Sequence, residues 1–188
     1  GTIRRNLVYA LPDATDEDRV ALYFTACLLS FYQQMRLWET QRVALADYNI
    51  EKPLWVFVGN KVSDDDSDIL TVVRFLADFL NHSARTLTWI ADLVADRAQI
   101  IDERTKRNIF EKRFLPLMGE SADAIFADIL KRLFNANGAQ RLKLVNVKNS
   151  KGELALRVGD ANPFGLINIG DDSGFFTLAD EQRGDAFD

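Results

Sequence analysis

The sequence has little of the chemistry that many enzymes depend on, since it contains one cysteine, Cys27, and one histidine, His82, among 188 residues. An intrachain disulfide is therefore excluded, which fits a reducing cytoplasm, and so are zinc sites built from several such residues. A catalytic Cys27–His82 pair is the less favoured alternative, because a lone cysteine within an apolar helical pattern is usually a small buried hydrophobe. We therefore predict no metal site and no catalytic residue in this chain.

The motifs that bind nucleotides or activate nucleophiles are also absent. The chain has no G-x-x-x-x-G-K-[ST], H-E-x-x-H, C-x-x-C or G-x-S-x-G, so it lacks the known sequence patterns of triphosphate loops, metalloproteases and serine hydrolases. The acidic residues 64–68 do not make an EF-hand, because Ile69 and Phe75 occupy the positions that require glycine and glutamate. We interpret these acids as charges that stabilise the N-terminus of a following helix.

No apolar run approaches about 20 residues, and no basic-then-apolar leader is present, so the sequence predicts neither a membrane span nor a signal peptide. The net charge of −5 and the pI of about 5.0 argue against a dedicated nucleic-acid module, although a local basic groove remains compatible with them. The chain begins with Gly1 rather than methionine. We therefore expect a piece of a larger cytoplasmic protein.

The first third of the chain predicts a long helix, a strand and a second helix. Thr15 and Asp18 form a helix-start pattern, and apolar residues recur at three- and four-residue steps as far as Tyr48. Residues 54–58, LWVFV, are apolar throughout, which is typical of a strand covered on both faces in a parallel sheet. Ser67 then caps a helix that runs to residue 80.

The middle of the chain is predicted to be mostly helical. Residues 84–115 have a helical pattern, and they include the charged segment DERTKRNIFEKR at 102–113. Ser121 is predicted to cap another helix that runs to about Phe134 and is stopped by the Asn-Gly pair at 137–138.

The end of the chain changes to strand periodicity. Residues 141–158 alternate apolar and polar side chains around a turn at 149–152, which predicts a β-hairpin. Residues 164–169 predict a further strand and residues 171–182 a short helix. The fold class predicted from these patterns is therefore mixed α/β and rich in helix.

Two sets of residues are candidates for contacts with phosphate groups. The first is the turn Gly59, Asn60 and Lys61, which follows the predicted strand, because ligands of open α/β sheets bind beyond the carboxyl ends of strands. A solvated turn explains this set equally well. The second set is basic and consists of Arg104, Lys106, Arg107, Lys112 and Arg113. Acidic residues alternate with it, so a solvated helix face is the favoured explanation.

Three segments together resemble one family. They are PLWVFVGNKV at 53–62, SDILTVVRFLADFL at 67–80 and FGLINIGDDS at 164–173. They resemble the start of the second RecA-like lobe of DEAD/DEAH-box helicases, in particular the Res subunit of type III restriction enzymes. The resemblance implies a partial RecA-like lobe with a helical and β-hairpin insertion. It divides the chain into a linker helix and lobe opening at 1–83, a helical insertion at 84–140, and a hairpin, strand and short helix at 141–188.

The resemblance also implies a function, namely a non-catalytic part of an ATP-dependent DNA translocase that positions DNA. ATP and Mg²⁺ would bind to other parts of the parent protein, and this part would hold no cofactor. Gly59, Asn60 and Lys61 would follow the fourth helicase motif and face the DNA backbone, although the acidic segment DDDSD directly after them departs from that role. The alternative is a module that docks a protein partner such as the modification (methyltransferase) subunit. A small-molecule enzyme is less favoured still, because no acid, base or nucleophile constellation is visible.

The absence of a phosphate-binding loop gives a direct expectation about turnover. We expect this chain to release no phosphate from ATP, with or without DNA, because nothing in it wraps a triphosphate in backbone amides. Phosphate release measured colorimetrically on the purified chain tests this. Turnover that persists through further purification steps would contradict the assignment of a non-catalytic part.

Overall fold

The structure is a computed structural model that describes residues 7–9, 15–59, 67–170, 175 and 177. The predicted mixed α/β, helix-rich fold class is confirmed. The described α-helices are α1 (Asp16–Leu45), α2 (Asp68–Leu80), α3 (Ala84–Val94) and α4 (Ala122–Leu133). The described strands are β1 (Leu7–Tyr9), β2 (Ile100–Asp102), β3 (Leu142–Asn146), β4 (Glu153–Val158) and β5 (Gly165–Asn168). Short 3-10 turns occupy Ala46–Tyr48 and Leu115–Leu117.

The chain divides into two compact units, each built from two separate stretches. The first unit comprises residues 1–55 and 84–126, and the second comprises residues 56–83 and 127–188. Each unit thus combines two stretches that are far apart in the sequence, whereas the family resemblance implies three consecutive segments at 1–83, 84–140 and 141–188. The segment boundaries that the family resemblance implies therefore stay a prediction about the parent protein.

In the first unit, the predicted start of α1 is confirmed in atomic detail. The Thr15 hydroxyl accepts a hydrogen bond from the Asp18 amide, and the Asp18 carboxylate accepts one from the Thr15 amide, both at 3.1 Å. This reciprocal pair is a capping box, which satisfies two amides that have no partner inside the helix. The helix continues without a break to Leu45 and then tightens into a 3-10 turn that ends at Tyr48.

The core of the first unit forms where α1 lies against α3. Leu22, Ala26 and Leu29 of α1 are buried, as are Ile90 and Leu93 of α3. These α1 residues recur at steps of three and four, which places them on one face of the helix. Phe24 and Leu28, two of the apolar residues whose spacing predicts α1, are buried as well.

The prediction that residues 84–115 are mostly helical is wrong beyond Val94. Asp96 adopts a positive φ of 56°, and the Arg97 amide bonds the Asp92 carbonyl at 2.8 Å, which ends α3. The chain then forms β2, which pairs antiparallel with β1 so that Leu7 lies opposite Asp102 and Tyr9 opposite Ile100. Periodicity missed this pair because both strands are three residues long.

In the second unit, Ser67 caps α2 as predicted, since its hydroxyl accepts a hydrogen bond from the Leu70 amide at 3.2 Å. The hairpin is also confirmed, with Leu142 of β3 opposite Val158 of β4. Strand β5 joins the other side of β4, which gives the antiparallel order β3-β4-β5. The short helix predicted at 171–182 lies outside the described residues, apart from positions 175 and 177.

The predicted end of α4 at about Phe134 agrees with the structure to within one residue, but the residue that stops the helix differs from the prediction. Ser121 does cap the helix, because its hydroxyl accepts from the Ala124 amide at 3.2 Å. The helix ends at Leu133, however, and the residue with left-handed backbone is Asn135, at φ 55°, rather than the glycine at 138. Asparagine tolerates this conformation better than most residues. The Asn-Gly pair at 137–138 is therefore not the stop signal.

The strand predicted at residues 54–58 is not formed in the structure. Leu54, Val56 and Val58 are 81 %, 65 % and 86 % exposed, and the segment has no regular secondary structure. No described strand pairs with it, and all described strand pairs are antiparallel. An apolar run becomes a buried parallel strand only where neighbouring strands exist, and none of the described strands lies beside this segment.

Within the residues that the structure describes, no helix combines the length and the apolar composition needed to cross a bilayer.

The capping box gives a prediction about the stability of α1. Thr15→Ala should lower the free energy of unfolding by about 1 kcal/mol, because the Asp18 amide loses its acceptor. Urea unfolding followed by circular dichroism measures this. The matched control is Thr88→Ala in α3, where the hydroxyl only bonds the Ala84 carbonyl one turn back. Alanine has the higher helix propensity there, so the control should be neutral or slightly stabilising, and equal losses at both sites would refute the capping role.

Candidate nucleic-acid interface

The basic residues of the second candidate set lie on a tight loop rather than on a helix face. Residues 103–113, which we call the basic loop, begin where β2 ends. The Asp102 amide bonds the Arg107 carbonyl at 3.0 Å, and the Ile109 amide bonds the Ile100 carbonyl at 3.0 Å. The chain therefore folds back on β2 as a short hairpin, and an isolated bridge between Ile101 and Asn108 continues it.

The tip of the basic loop is held by the carboxylate of Asp102. One of its oxygens, Oδ1, accepts a hydrogen bond from the Thr105 amide at 2.6 Å, and the Asp102 carbonyl accepts one from the Lys106 amide at 2.8 Å. Hydrogen bonds from Thr105, with the charge of Arg104 adding to them, hold the pKa of the Asp102 carboxyl below its usual range. Lys106 adopts a positive φ of 57°, which completes the tight turn.

Three further side chains fix the base of the loop. Asn108 accepts hydrogen bonds through Oδ1 from the amides of Ile100 and Phe110, at 3.3 and 3.2 Å. Asp96 accepts from the Lys112 amide at 3.0 Å, and Gln33 donates to the Arg113 carbonyl at 3.2 Å. These contacts connect the loop to α1 and to the end of α3. The basic loop therefore has a conformation fixed by side-chain hydrogen bonds, and the predicted helix face at these residues is not formed.

Aromatic side chains pack the basic loop against the first unit. The ring of Phe110 lies edge-on to Tyr23 of α1 at 6.1 Å between centroids and is stacked near Phe114 at 5.9 Å. Phe114 is fully buried. Such ring pairs contribute about 0.5–1.5 kcal/mol each beyond the area they bury. Through Phe110, the loop consequently packs against the core of the first unit.

All five basic side chains of the set are exposed to solvent. Lys112 lies 3.8 Å from Glu111, a contact that is worth little at the surface. Among the described residues, Arg104, Lys106, Arg107 and Arg113 make no ion pair. Their charges are therefore available to an external anion, with Glu103 as an exposed acidic neighbour.

The first candidate set is described only at Gly59, because Asn60 and Lys61 lie outside the described residues. A Cβ on Gly59 would lie 3.1 Å from Ile69 Cγ1 and 3.3 Å from Asp68 Cβ. These distances are tighter than ordinary carbon contacts. Close packing against the start of α2 is therefore a sufficient reason for glycine here, without any phosphate. Gly59 belongs to the second unit and the basic loop to the first.

The cysteine is positioned as a packing residue. Cys27 is half-buried on α1, and burial raises the pKa of its thiol, while a hydrogen bond with Tyr23 acts in the opposite direction. Burial, together with the thiol of Cys27, raises the pKa of Tyr23 to about 12. Neither group is ionised near neutral pH, whereas a nucleophilic cysteine needs a lowered pKa.

Among the residues that the structure describes, no three His, Cys, Asp or Glu side chains come together as a group that could hold a metal ion.

The sequence patterns did not reveal the side chains that position the basic loop, which are Gln33, Asp96 and Asn108. Asn108 and Asp96 are residue types that often bond nearby backbone, but nothing in their spacing identifies the amides they reach.

No protein-family model, no curated protein and no solved structure matches this chain. The resemblance to helicases therefore stays a prediction that depends on the quoted segments alone.

The raised pKa of the Cys27 thiol predicts slow labelling. At pH 7–8 the folded chain should react with a disulfide reagent far more slowly than the chain unfolded in urea, because little thiolate is present. Tyr23→Phe removes the hydrogen bond that lowers this pKa, so the pH at which labelling accelerates should move upward. Stopped-flow absorbance across pH 7–10 measures both. Labelling of the folded chain as fast as that of the unfolded chain would refute the buried thiol.

Proposed function

We propose that this chain is a non-catalytic part of an ATP-dependent DNA helicase or translocase similar to the Res subunit of type III restriction enzymes. Its role is to hold DNA in position while other parts of a cytoplasmic parent protein bind ATP and Mg²⁺. Two of the three segments that carry the resemblance contain a regular element, α2 (Asp68–Leu80) and β5 (Gly165–Asn168), whereas the strand predicted at residues 54–58 is not formed. The partial RecA-like lobe is part of the same proposal.

The observation that carries the proposal is that four cations on the basic loop make no ion pair among the described residues. They are Arg104, Lys106, Arg107 and Arg113. The loop holds five basic residues and two acidic ones, in a chain whose net charge is −5. Arginine forks and lysine ammonium groups bind phosphate oxygens through charge-assisted hydrogen bonds. A loop that is already held at Asp102 and Asn108 loses little conformational entropy when it binds. It therefore suits the repeating phosphates of a nucleic-acid backbone.

Contacts of this kind fix position without reading sequence. Phosphate contacts set the register of a protein on DNA and carry no base information, which is what a motor needs when it steps along arbitrary sequence. The acidic remainder of the chain limits adventitious binding elsewhere on its surface. We expect moderate affinity and strong salt dependence from this loop.

A second candidate function is the docking of a protein partner, such as a modification subunit. The exposed apolar side chains of Leu54, Val56 and Val58 favour it, because apolar groups clustered on a surface commonly mark interaction sites. Trp89, by contrast, is only partly exposed, and the Arg85 guanidinium lies 5.2 Å from the centre of its ring. The docking candidate therefore depends on the segment at 54–58.

The DNA proposal predicts a salt-dependent interaction that maps to the basic loop. Fluorescence anisotropy of labelled single- and double-stranded DNA should show binding that weakens with salt, each phosphate contact adding roughly 0.9 to the log–log slope on duplex DNA. Replacing Arg104, Lys106 and Arg107 together by alanine should lower that slope by about 2–3 and weaken binding to all sequences alike. Lys61→Ala tests the turn at 59–61 separately.

The matched control removes the same charge from the second unit. Lys131, Lys148 and Lys151 are exposed, and their joint replacement by alanine changes net charge equally. Binding should be weakened by the loop variant and not by this control. Equal effects of both triple variants would indicate non-specific charge attraction, and no binding at low salt would move the assignment to the docking candidate.

A further inference from the structure

The only Asn-Gly pair of the sequence, Asn137 and Gly138, lies in the connection between α4 and β3. Because Asn135 provides the left-handed residue after α4, this pair has no role in ending the helix. Both of its residues are exposed to solvent. A Cβ added to Gly138 would have nothing within 4 Å, so the described residues leave the space around the pair open.

An asparagine side chain can react with the backbone that follows it, which is one reason that asparagine is thermolabile. The amide nitrogen of the next residue attacks Cγ of the asparagine and closes a five-membered ring, and the reaction is fast only when both groups can reach this geometry. Glycine in the next position favours the attack, because it has no Cβ and its backbone adopts more conformations. A hydrogen bond on the attacking amide opposes the reaction, because the amide must turn toward Cγ and lose its proton.

The hydrogen bonds of the structure separate Asn137 from the other described asparagines. Neither the Asn137 side chain nor the Gly138 amide makes a hydrogen bond to a described residue. After each of the other described asparagines, the next amide bonds a backbone carbonyl, except after Asn162, where the next residue is a proline without an amide hydrogen. The amides that follow Asn108 and Asn168, for example, make such bonds at 3.0 and 2.7 Å.

The nearest asparagine, Asn135, shows the contrast most clearly. It is exposed like Asn137 and lies two residues before it. The amide of the next residue, Ala136, bonds the Leu130 carbonyl at 3.0 Å. The Asn135 side-chain amide also donates to the Pro163 carbonyl at 2.9 Å, which holds the group away from its own backbone. Exposure alone therefore does not distinguish the two asparagines, whereas hydrogen bonding does.

We propose that Asn137 is a site of spontaneous deamidation. Hydroxide removes the Gly138 amide proton, the nitrogen forms a bond to Asn137 Cγ, and the Cγ–Nδ2 bond breaks so that this nitrogen leaves as ammonia. Water then opens the cyclic imide at either carbonyl, which gives aspartate or isoaspartate. The net reaction consumes one water, releases one ammonia and needs no oxidant. Both products carry a new negative charge, and isoaspartate also adds a methylene to the backbone just before β3.

The test is a time course of the purified chain followed by peptide mapping with mass spectrometry. Trypsin releases residues 133–141 as one peptide, so fragment ions compare Asn135 and Asn137 directly. The mass gain of an amide converted to a carboxylate should accumulate at Asn137 and not at Asn135. It should accumulate faster at higher pH, because the attacking amide must be deprotonated. Gly138→Ala should slow the reaction by roughly tenfold or more, since a Cβ restricts the attacking backbone.

A matched control separates the structure from the dipeptide. Ala136→Gly gives Asn135 a glycine neighbour, but the amide at position 136 can still bond the Leu130 carbonyl. In the folded variant, Asn135 should therefore react far more slowly than Asn137, whereas in urea the two should react at similar rates. Because Ala136 is buried, circular dichroism must first show that this variant folds.

A second control covers the case in which that variant does not fold. Ser150→Gly places a glycine after Asn149 in the turn of the hairpin, where the amide at position 150 bonds the Val147 carbonyl at 3.2 Å. Asn149 should then also react more slowly than Asn137 in the folded chain. Equal rates at Asn137 and at the control asparagine in the folded chain would overturn the proposal, as would an Asn137 that reacts only in urea. The reaction goes beyond the proposed function and does not depend on DNA binding.

Discussion

Backbone hydrogen bonding is the constraint on which the organisation of this chain depends, because every buried amide and carbonyl must find a partner. Around β2 several of the partners are side chains rather than backbone groups. Asp102 and Asn108 bond amides within the basic loop, and Asp96 reaches the Lys112 amide across a turn. At Leu54, Val56 and Val58 no described residue bonds the backbone, but these residues are exposed, so water can satisfy their amides and carbonyls.

The second unit shows how aromatic packing fixes the neighbours of a small sheet. Phe134, just past the end of α4, lies 6.1 Å from Phe79 of α2 and edge-on to Phe164 at 4.7 Å between ring centroids. Asn135 adds a hydrogen bond from its side-chain amide to the Pro163 carbonyl at 2.9 Å. Phe164 directly precedes β5. These contacts hold the third strand in place beside a hairpin that is marginal alone.

Charge distribution connects the fold to the DNA proposal. Elsewhere in the described residues several cations are compensated, as in the pairs of Arg36 with Glu120 and Lys143 with Asp160. Lys143 and its hydrogen bond hold the pKa of Asp160 below its usual range. On the basic loop, four of the five cations make no ion pair among the described residues, and hydrogen bonds fix the loop backbone. This contrast, more than the overall charge of the chain, supports an anion-binding surface.

Short sequence patterns determined where two helices begin and where the β-hairpin forms. Thr15 and Ser67 cap helices because a short side chain can reach its own first turn, and the alternation at residues 141–158 predicts the hairpin from period alone. Tertiary structure decided the rest. Residues 54–58 have the composition of a buried strand but no strand beside them. Likewise, residues 102–113 follow β2 into a loop because Gln33, Asp96 and Asn108 happen to meet its amides and carbonyls. A sequence pattern states what a segment can bury or bond, but only the folded chain determines whether a partner is within reach.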